Sequence, residues 1–412
     1  MAKDKKYDWG IGNPLPKIEE HSLVKLNIIE KYLEAYMRHL TISPYPRNLK
    51  FAVIDGFSGG GLYKDIKGQE ILGSPLRVLE TIERLKKEIT FERENKNFGK
   101  INFDIPVYCI EKDRNVFKFL KQTINQRGFG NSANIINGEF EKIYNNIIKE
   151  LQSKEYKRAV FLLDQYGYIE ANIETIRTIL NSFYNVEIIL TFACDSLIDY
   201  LSSSNKNILI KLGLDNDDIT HLLDTKKDND GNRRILQFTL LNSIINKVGT
   251  SCYYTPFFIK GSKTHRAYWL LHFSMHPTAR NEMVKLHYEN HNAFIHYGGG
   301  GFDMFGYSTK DKDTLNPFLF AEQDRLDSLE LIKTQIQNKV CDYNNKTFET
   351  LIQNEINYTP ATIETIKESL QEQIYYGDID IIDPKTNKRV KNYKNIKSEY
   401  IIKDNKQKRF NF

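Results

Sequence analysis

Short apolar runs of strand character alternate along this chain with longer amphipathic stretches, which predicts a largely parallel sheet wrapped by helices. Residues 51–55, Phe-Ala-Val-Ile-Asp, form an unbroken β-prone run closed by an acid, as suits a strand buried on both faces. Comparable runs lie at Pro106 to Glu111, Ala133 to Asn137, Ala159 to Asp164 and Val186 to Ala193. The stripe Leu23, Leu26, Ile29, Leu33 and Met37 predicts a helix ahead of the first run. Leu76, Leu79, Ile82 and Leu85 predict another after it, opened by Ser74 as N-cap and Pro75 in the first turn. Tyr253 to Lys260 and Arg266 to Ser274 are β-rich runs around Gly261-Ser-Lys-Thr264, a hairpin signal.

The first strand breaks into Gly56-Phe57-Ser58-Gly59-Gly60-Gly61, at the carboxyl edge where open α/β sheets bind ligands. Glycines there let the backbone approach a ligand, although a strand-to-helix turn without a ligand would use them too. Further acids close or follow the next strands: Glu111, then Glu139 in Asn137-Gly-Glu-Phe140, then Asp164 in Asp164-Gln-Tyr-Gly-Tyr168. A nicotinamide fold would open its helix directly on G-x-G-x-x-G, whereas a polar stretch here separates the glycines from Ser74. That spacing points away from NAD.

The arrangement resembles class I S-adenosylmethionine-dependent methyltransferases. By that resemblance Asp55, Phe57, Ser58, Gly59 and Gly61 hold the methionine part, Glu111 the ribose hydroxyls, and Glu139 with Phe140 the adenine. The fourth strand then faces the methyl acceptor, with Asp164, Gln165 and Tyr166 as the catalytic candidates. The implied fold is a doubly wound, mostly parallel, seven-stranded Rossmann-like sheet. The implied cofactor is S-adenosylmethionine.

A narrower resemblance rests on three segments. Pro16-Lys-Ile-Glu-Glu-His21-Ser-Leu-Val-Lys25, Ile54-Asp-Gly-Phe-Ser-Gly-Gly-Gly61 and Gly73-Ser-Pro-Leu76, with Thr264 to Met283, look like the three-Cys-motif partner protein family. That family implies a methyltransferase-like fold and a neighbouring protein with a three-cysteine cluster of the radical-chemistry type. Its substrate is unsettled.

Methyltransferases acting on exocyclic base amines place [DN]-P-P-[YF] after the fourth strand, where this chain has Asp164-Gln165-Tyr166-Gly167. Asp164 can still accept a proton, Gln165 offers a donor and an acceptor, and Tyr166 or Tyr168 can stack on a base, so an amine or amide acceptor remains open. The alternative is that Asp164 merely caps the next helix, whose stripe is Ala171, Ile173, Ile176 and Leu180. His21 and Lys25 stand one helical turn apart, either over the cofactor mouth or on a solvated face. His265, His272 and His276 read as packing or hydrogen-bonded residues, and no metal site is expected. Gly298 to Gly301 reads as a linker.

Cysteines at 109, 194, 252 and 341 are scattered, and three fall in or beside apolar runs, as expected of buried thiols in a reducing compartment. No apolar run reaches membrane-spanning length, so a cytoplasmic protein with no membrane partner is expected. Net charge is +5, concentrated toward the C-terminus. From Lys385 to Phe412 ten Lys or Arg stand against Glu399 and Asp404, a local excess of +8 (10 − 2), interleaved with Tyr393, Tyr400 and Phe410. Lys385, Lys388, Arg389, Lys391 and Lys394 are therefore candidate nucleic-acid contacts, with a solvated tail as the alternative.

Ahead of that stretch, Phe348 to Ile356 and a helix from Thr359-Pro360 with Ile363, Ile366, Leu370 and Ile374 inward, ended by Gly377, precede strands at Ile379 to Ile382 and Tyr400 to Ile402. This pattern predicts a winged-helix-like unit whose second helix carries Glu364, Glu368 and Glu372, unsuited to a major groove. The expected organisation is a helical segment over residues 1–45, a methyltransferase-like domain over 46–296, a glycine-rich linker and helix over 297–345, and the winged unit over 346–412. Two functions stand: a methyltransferase acting on a nucleic acid or nucleotide, and a non-catalytic scaffold of the same fold that binds the three-cysteine partner.

Overall fold

The computed structural model describes residues 7–165, 169–202, 205–228, 233–249, 252–260, 267–290, 294–295 and 322–405. The predicted strands form as β1 (Ala52–Asp55), β2 (Val107–Glu111), β3 (Ala133–Asn137), β4 (Arg158–Leu163), β5 (Asn185–Phe192), β6 (Tyr253–Lys260) and β7 (Ala267–Ser274). A two-residue strand, β8 (Phe294–Ile295), was not foreseen; a dipeptide carries no periodic signal. The sheet runs β8-β6-β7-β5-β4-β1-β2-β3. Ladders β1–β2, β1–β4, β2–β3 and β4–β5 are parallel, and β7 is antiparallel to β5. Every residue of the central β1 is buried, the apolar Ala52 to Ile54 as their composition required and Asp55 with them.

Two compact units divide the chain, one formed by Met1–Cys252 with Phe258–His276, the other by Tyr253–Phe257 with Pro277–Phe412. In the first, α1 (Glu20–Thr41) buries Leu26, Ile29, Leu33 and Met37 of the predicted stripe, together with Lys25. It is tied to α2 (Ser74–Asn95) by Arg38 to Glu88 and Glu92, each at 2.6 Å, and by Arg84 to Glu34 at 3.2 Å. The N-cap of α2 is Gly73 rather than Ser74, because the Ser74 hydroxyl is drawn to Asp55 instead. The polar stretch before it folds as an antiparallel pair, Leu62–Lys64 with Glu70–Leu72, turning at Asp65, whose Oδ1 accepts from the amides of Lys67 and Gln69. Helices α3 (Arg114–Gln126), α4 (Phe140–Ser153) and α5 (Ile173–Leu180) make the crossovers, and α6 (Cys194–Asp199), α7 (Lys206–Leu212), α8 (Asn216–Asp228) and α9 (Arg233–Val248) follow β5.

The second unit contains α10 (Pro277–Glu289), α11 (Glu322–Asp342), α12 (Phe348–Glu355), α13 (Ile363–Ser369) and α14 (Gln371–Tyr376), then an antiparallel pair, β9 (Ile379–Ile382) and β10 (Ile401–Asp404). Its core joins Ile332, Ile336, Phe348, Leu351, Ile366, Leu370, Ile381 and Ile402. The single helix expected from Pro360 to Gly377 is broken at Leu370, beside Ser369, whose hydroxyl donates to the Ile366 carbonyl and competes with the helical ladder. Gly377 ends α14 at φ 72°, a left-handed turn that favours glycine. Tyr393 and Tyr400 pack on this core instead of facing solvent. Cys109, Cys194 and Cys252 are buried thiols and Cys341 is exposed. Among the described residues no helix is long and apolar enough to cross a membrane.

Candidate functional site

Strands β1, β2, β3 and β4 end at one edge of the sheet, and the loops beyond them surround a cavity of about 650 Å³ within the first unit. That volume lies in the usual range of small-ligand pockets, roughly 300–1,000 Å³. Its wall includes Phe57, Ser58 and Gly59 after β1, Glu111 ending β2, Glu139 and Phe140 after β3, and Asp164 and Gln165 after β4. Carboxylates from three strand ends therefore face one space. With Glu141 and Glu170 the wall holds five carboxylates against Lys25 and Lys112, a balance that favours a cationic ligand.

Asp55 is not part of that wall. Its Oδ1 accepts from the Phe57 amide at 3.2 Å and its Oδ2 from the Ser74 hydroxyl at 2.6 Å, so it ties the glycine loop to the start of α2. Burial pushes its carboxyl up to about 7, against the lowering effect of these hydrogen bonds, and the charge of Asp164 adds to the rise. Gly61 is not part of the wall either; at φ 76°, a Cβ there would meet Leu120 at 3.0 Å and Pro75 at 3.4 Å. Gly56 is required by close approach: a Cβ there would lie 2.9 Å from side-chain atoms of both Leu163 and Phe140.

Glu111 meets the loop directly. Its Oε2 accepts from the Gly59 amide at 3.1 Å and its Oε1 from the Asp113 amide at 2.7 Å, leaving lone pairs on both oxygens for hydroxyl donors. Burial raises its carboxyl above the ordinary value, opposed by those two amides. Glu139 reaches Lys142 at 2.6 Å, and Phe140 lies against Phe57 with ring centroids 5.4 Å apart.

Asp164 does not cap α5, whose N-cap is Asn172. It binds Lys25 of α1 through both oxygens, at 2.6 and 2.7 Å. Burial would raise its carboxyl, but the charge and hydrogen bonds of Lys25, a hydrogen bond from Thr191 and nearby His21 outweigh it and hold the group below the usual range. Both side chains line the cavity, that of Lys25 10% exposed and that of Asp164 43%. His21 also lines the cavity, stacked on Tyr268 with centroids 5.3 Å apart. Of the two readings of the His21–Lys25 pair, the solvated face is the one the structure excludes. Gln165 is 3% exposed; its Oε1 accepts from the Ala171 amide at 2.9 Å, and its buried Nε2 has no hydrogen-bond partner. Tyr166 lies outside the described residues, as do Tyr168, His265 and Gly298 to Gly301.

The aromatic cover had no signal in the sequence pattern. Trp9 donates from Nε1 to the Leu62 carbonyl at 2.6 Å and lies on Gly60, where a Cβ would meet its ring at 2.2 Å. Trp9, Tyr7 and Tyr63 form a cluster with centroids 5.2 to 5.6 Å apart, and all three line the cavity. Gly60 thus serves the packing of Trp9. His272 bonds buried Glu187 at 2.8 Å, and Tyr32 donates to the same carboxylate at 2.6 Å, a packed network like that expected for the histidines. Among the described residues no cluster of His, Cys, Asp and Glu has metal-binding geometry.

No family model matches the chain. No curated protein matches it either. In structure it is similar to a protein described as a caffeoyl-CoA O-methyltransferase from Staphylococcus aureus, at 11% identity over 64% of this chain and 87% of that one, with a TM-score of 0.28. It is also similar to one described as a sarcosine dimethylglycine methyltransferase from Galdieria sulphuraria, at 10% identity over 60% and 84%, with a TM-score of 0.27. Scores this low leave the fold to be read from the strand order itself.

Proposed function

We propose that this chain is an S-adenosylmethionine-dependent methyltransferase, and that its acceptor is an amine or amide nitrogen of a nucleic acid or nucleotide. The observation that carries the reading is the convergence of Glu111, Glu139 and Asp164, from three strand ends, on one cavity beside a glycine loop. The residues suit the cofactor's parts: Glu111 keeps free lone pairs for two ribose hydroxyls, Phe57 and Phe140 offer an aromatic wall, and the carboxylate excess favours a sulfonium. When bound, the cofactor supplies an activated methyl group.

The protein's own work is then placement. Lys25 fixes the rotamer of Asp164 and keeps it ionised, so that its Oδ atoms can accept an N–H of the acceptor and orient the nitrogen lone pair. The buried Gln165 Nε2 is a donor awaiting an acceptor atom, as an amide or base edge would provide. The likeness of the quoted motifs to the three-Cys-motif partner family supports a partner protein of that kind. The test is transfer of radiolabelled methyl from S-adenosylmethionine to RNA, DNA and nucleotides. Transfer abolished by Asp164→Ala supports the reading, and cofactor binding without transfer to any of them refutes the acceptor class.

A further inference from the structure

The loop between β9 and β10 in the second unit carries Lys385, Lys388, Arg389, Lys391, Lys394 and Lys397, all exposed, with Asp383 the single acid between residues 383 and 397. Of these cations Arg389 reaches Asp380 at 3.2 Å, and Lys394 and Lys397 extend over the rings of Tyr393 and Tyr400. Gln371, the first residue of α14, fastens the loop: its Oε1 accepts from the Tyr393 amide at 2.8 Å and its Nε2 donates to the Lys391 carbonyl at 3.2 Å. Tyr375 stands one turn further along the same helical face, 79% exposed, and Tyr376 beside it is 58% exposed. Their centroids are 5.2 Å apart. Two adjacent, solvent-exposed tyrosines therefore stand on the helix that fastens the cationic loop. Tyr393 and Tyr400, by contrast, are taken up by the core.

We propose that the β9–β10 loop, with Tyr375 and Tyr376, is a binding site for single-stranded nucleic acid. The cations meet phosphates, and the tyrosine rings offer faces on which unpaired bases stack. Duplex is disfavoured because its bases are already stacked and the neighbouring helix is not free to enter a groove. On α13, Glu364 is engaged by Lys285 of α10 at 2.9 Å and Glu368 by Arg325 of α11 at 3.3 Å. The proposal does not depend on the methyltransferase reading, and its test uses no cofactor.

Fluorescence anisotropy on the full chain, with a fluorescein-labelled, unpaired RNA of about 15 nucleotides and a duplex of the same sequence, tests it. The single strand is expected to bind more tightly. The double variant Tyr375→Ala with Tyr376→Ala is expected to weaken binding roughly 5- to 100-fold with the salt dependence unchanged. Lys388→Gln, Arg389→Gln and Lys391→Gln together are expected to lower the slope of log K against log salt by about 2. Absence of binding at low salt, tighter binding of the duplex, or variants indistinguishable from wild type would overturn the proposal. All five positions are exposed, and thermal melting of each variant confirms its fold.

Discussion

Removing the ammonium that holds Asp164 tests the site most sharply as a piece of physics. In Lys25→Met the apolar stem survives, while a carboxylate now anchored at 2.6 and 2.7 Å loses its cation. Breaking a fully buried pair costs about 3–5 kcal/mol and an exposed one below about 1 kcal/mol. With Lys25 10% and Asp164 43% exposed, solvent in the cavity screens part of the loss, and about 2 kcal/mol is expected. The cost depends on pH. In wild type the depressed Asp164 carboxyl contributes stability above its unfolded value near pH 4, and that contribution is lost as pH falls through the folded value. Without Lys25, burial becomes the dominant influence and raises the carboxyl, so its contribution is present at low pH and lost as pH rises. The deficit of Lys25→Met relative to wild type should therefore grow between about pH 4 and pH 8, read by urea unfolding. Adding Asp164→Asn should recover at least half of it at the higher pH. A deficit that does not change with pH, or one that Asp164→Asn enlarges, refutes the reasoning.

Asp55, raised to about 7, contributes stability that is present below pH 4 and lost as pH rises through 7. Asp55→Asn should therefore gain on wild type, by up to about 4 kcal/mol, between about pH 4 and pH 8 in the same unfolding assay. Gly60→Ala sets a methyl 2.2 Å from the Trp9 ring and should destabilise by about 1–3 kcal/mol. Because the chain has two tryptophans, a Trp269→Phe background makes Trp9 fluorescence the reporter, which should shift to the red in Gly60→Ala. Gln165→Leu removes the acceptor of the buried Ala171 amide together with a donor that has no partner, so it should cost about 1–3 kcal/mol of stability and lower methyl transfer at least tenfold.

The sheet was readable because its central strands are buried on both faces and must be apolar throughout, as Ala52 to Ile54 and Ala159 to Leu163 are. The acids at strand ends stood out against that background, and Glu111, Glu139 and Asp164 do meet in one cavity. Asp55 looked the same in sequence yet turns inward, because Ser74, nineteen residues on, supplies the donor that captures it. Lys25 was ambiguous for a related reason: a helical stripe shows which face is buried, whereas the counter-ion that makes a buried lysine tolerable comes from residue 164. Trp9 lies in a stretch with no periodicity, and only the glycine loop it covers gives it a place. In the second unit, strand and helix positions followed from patterning, but the inward turn of Tyr393 and Tyr400 depends on a core assembled from distant segments.

Isothermal titration of the full chain with S-adenosylmethionine addresses the cavity itself. One molecule should bind per chain, and Glu111→Ala should weaken that binding at least tenfold while remaining folded by circular dichroism. Titration heats indistinguishable from dilution at millimolar ligand, or equal affinity in the variant, would contradict a sulfonium nucleoside pocket at these strand ends.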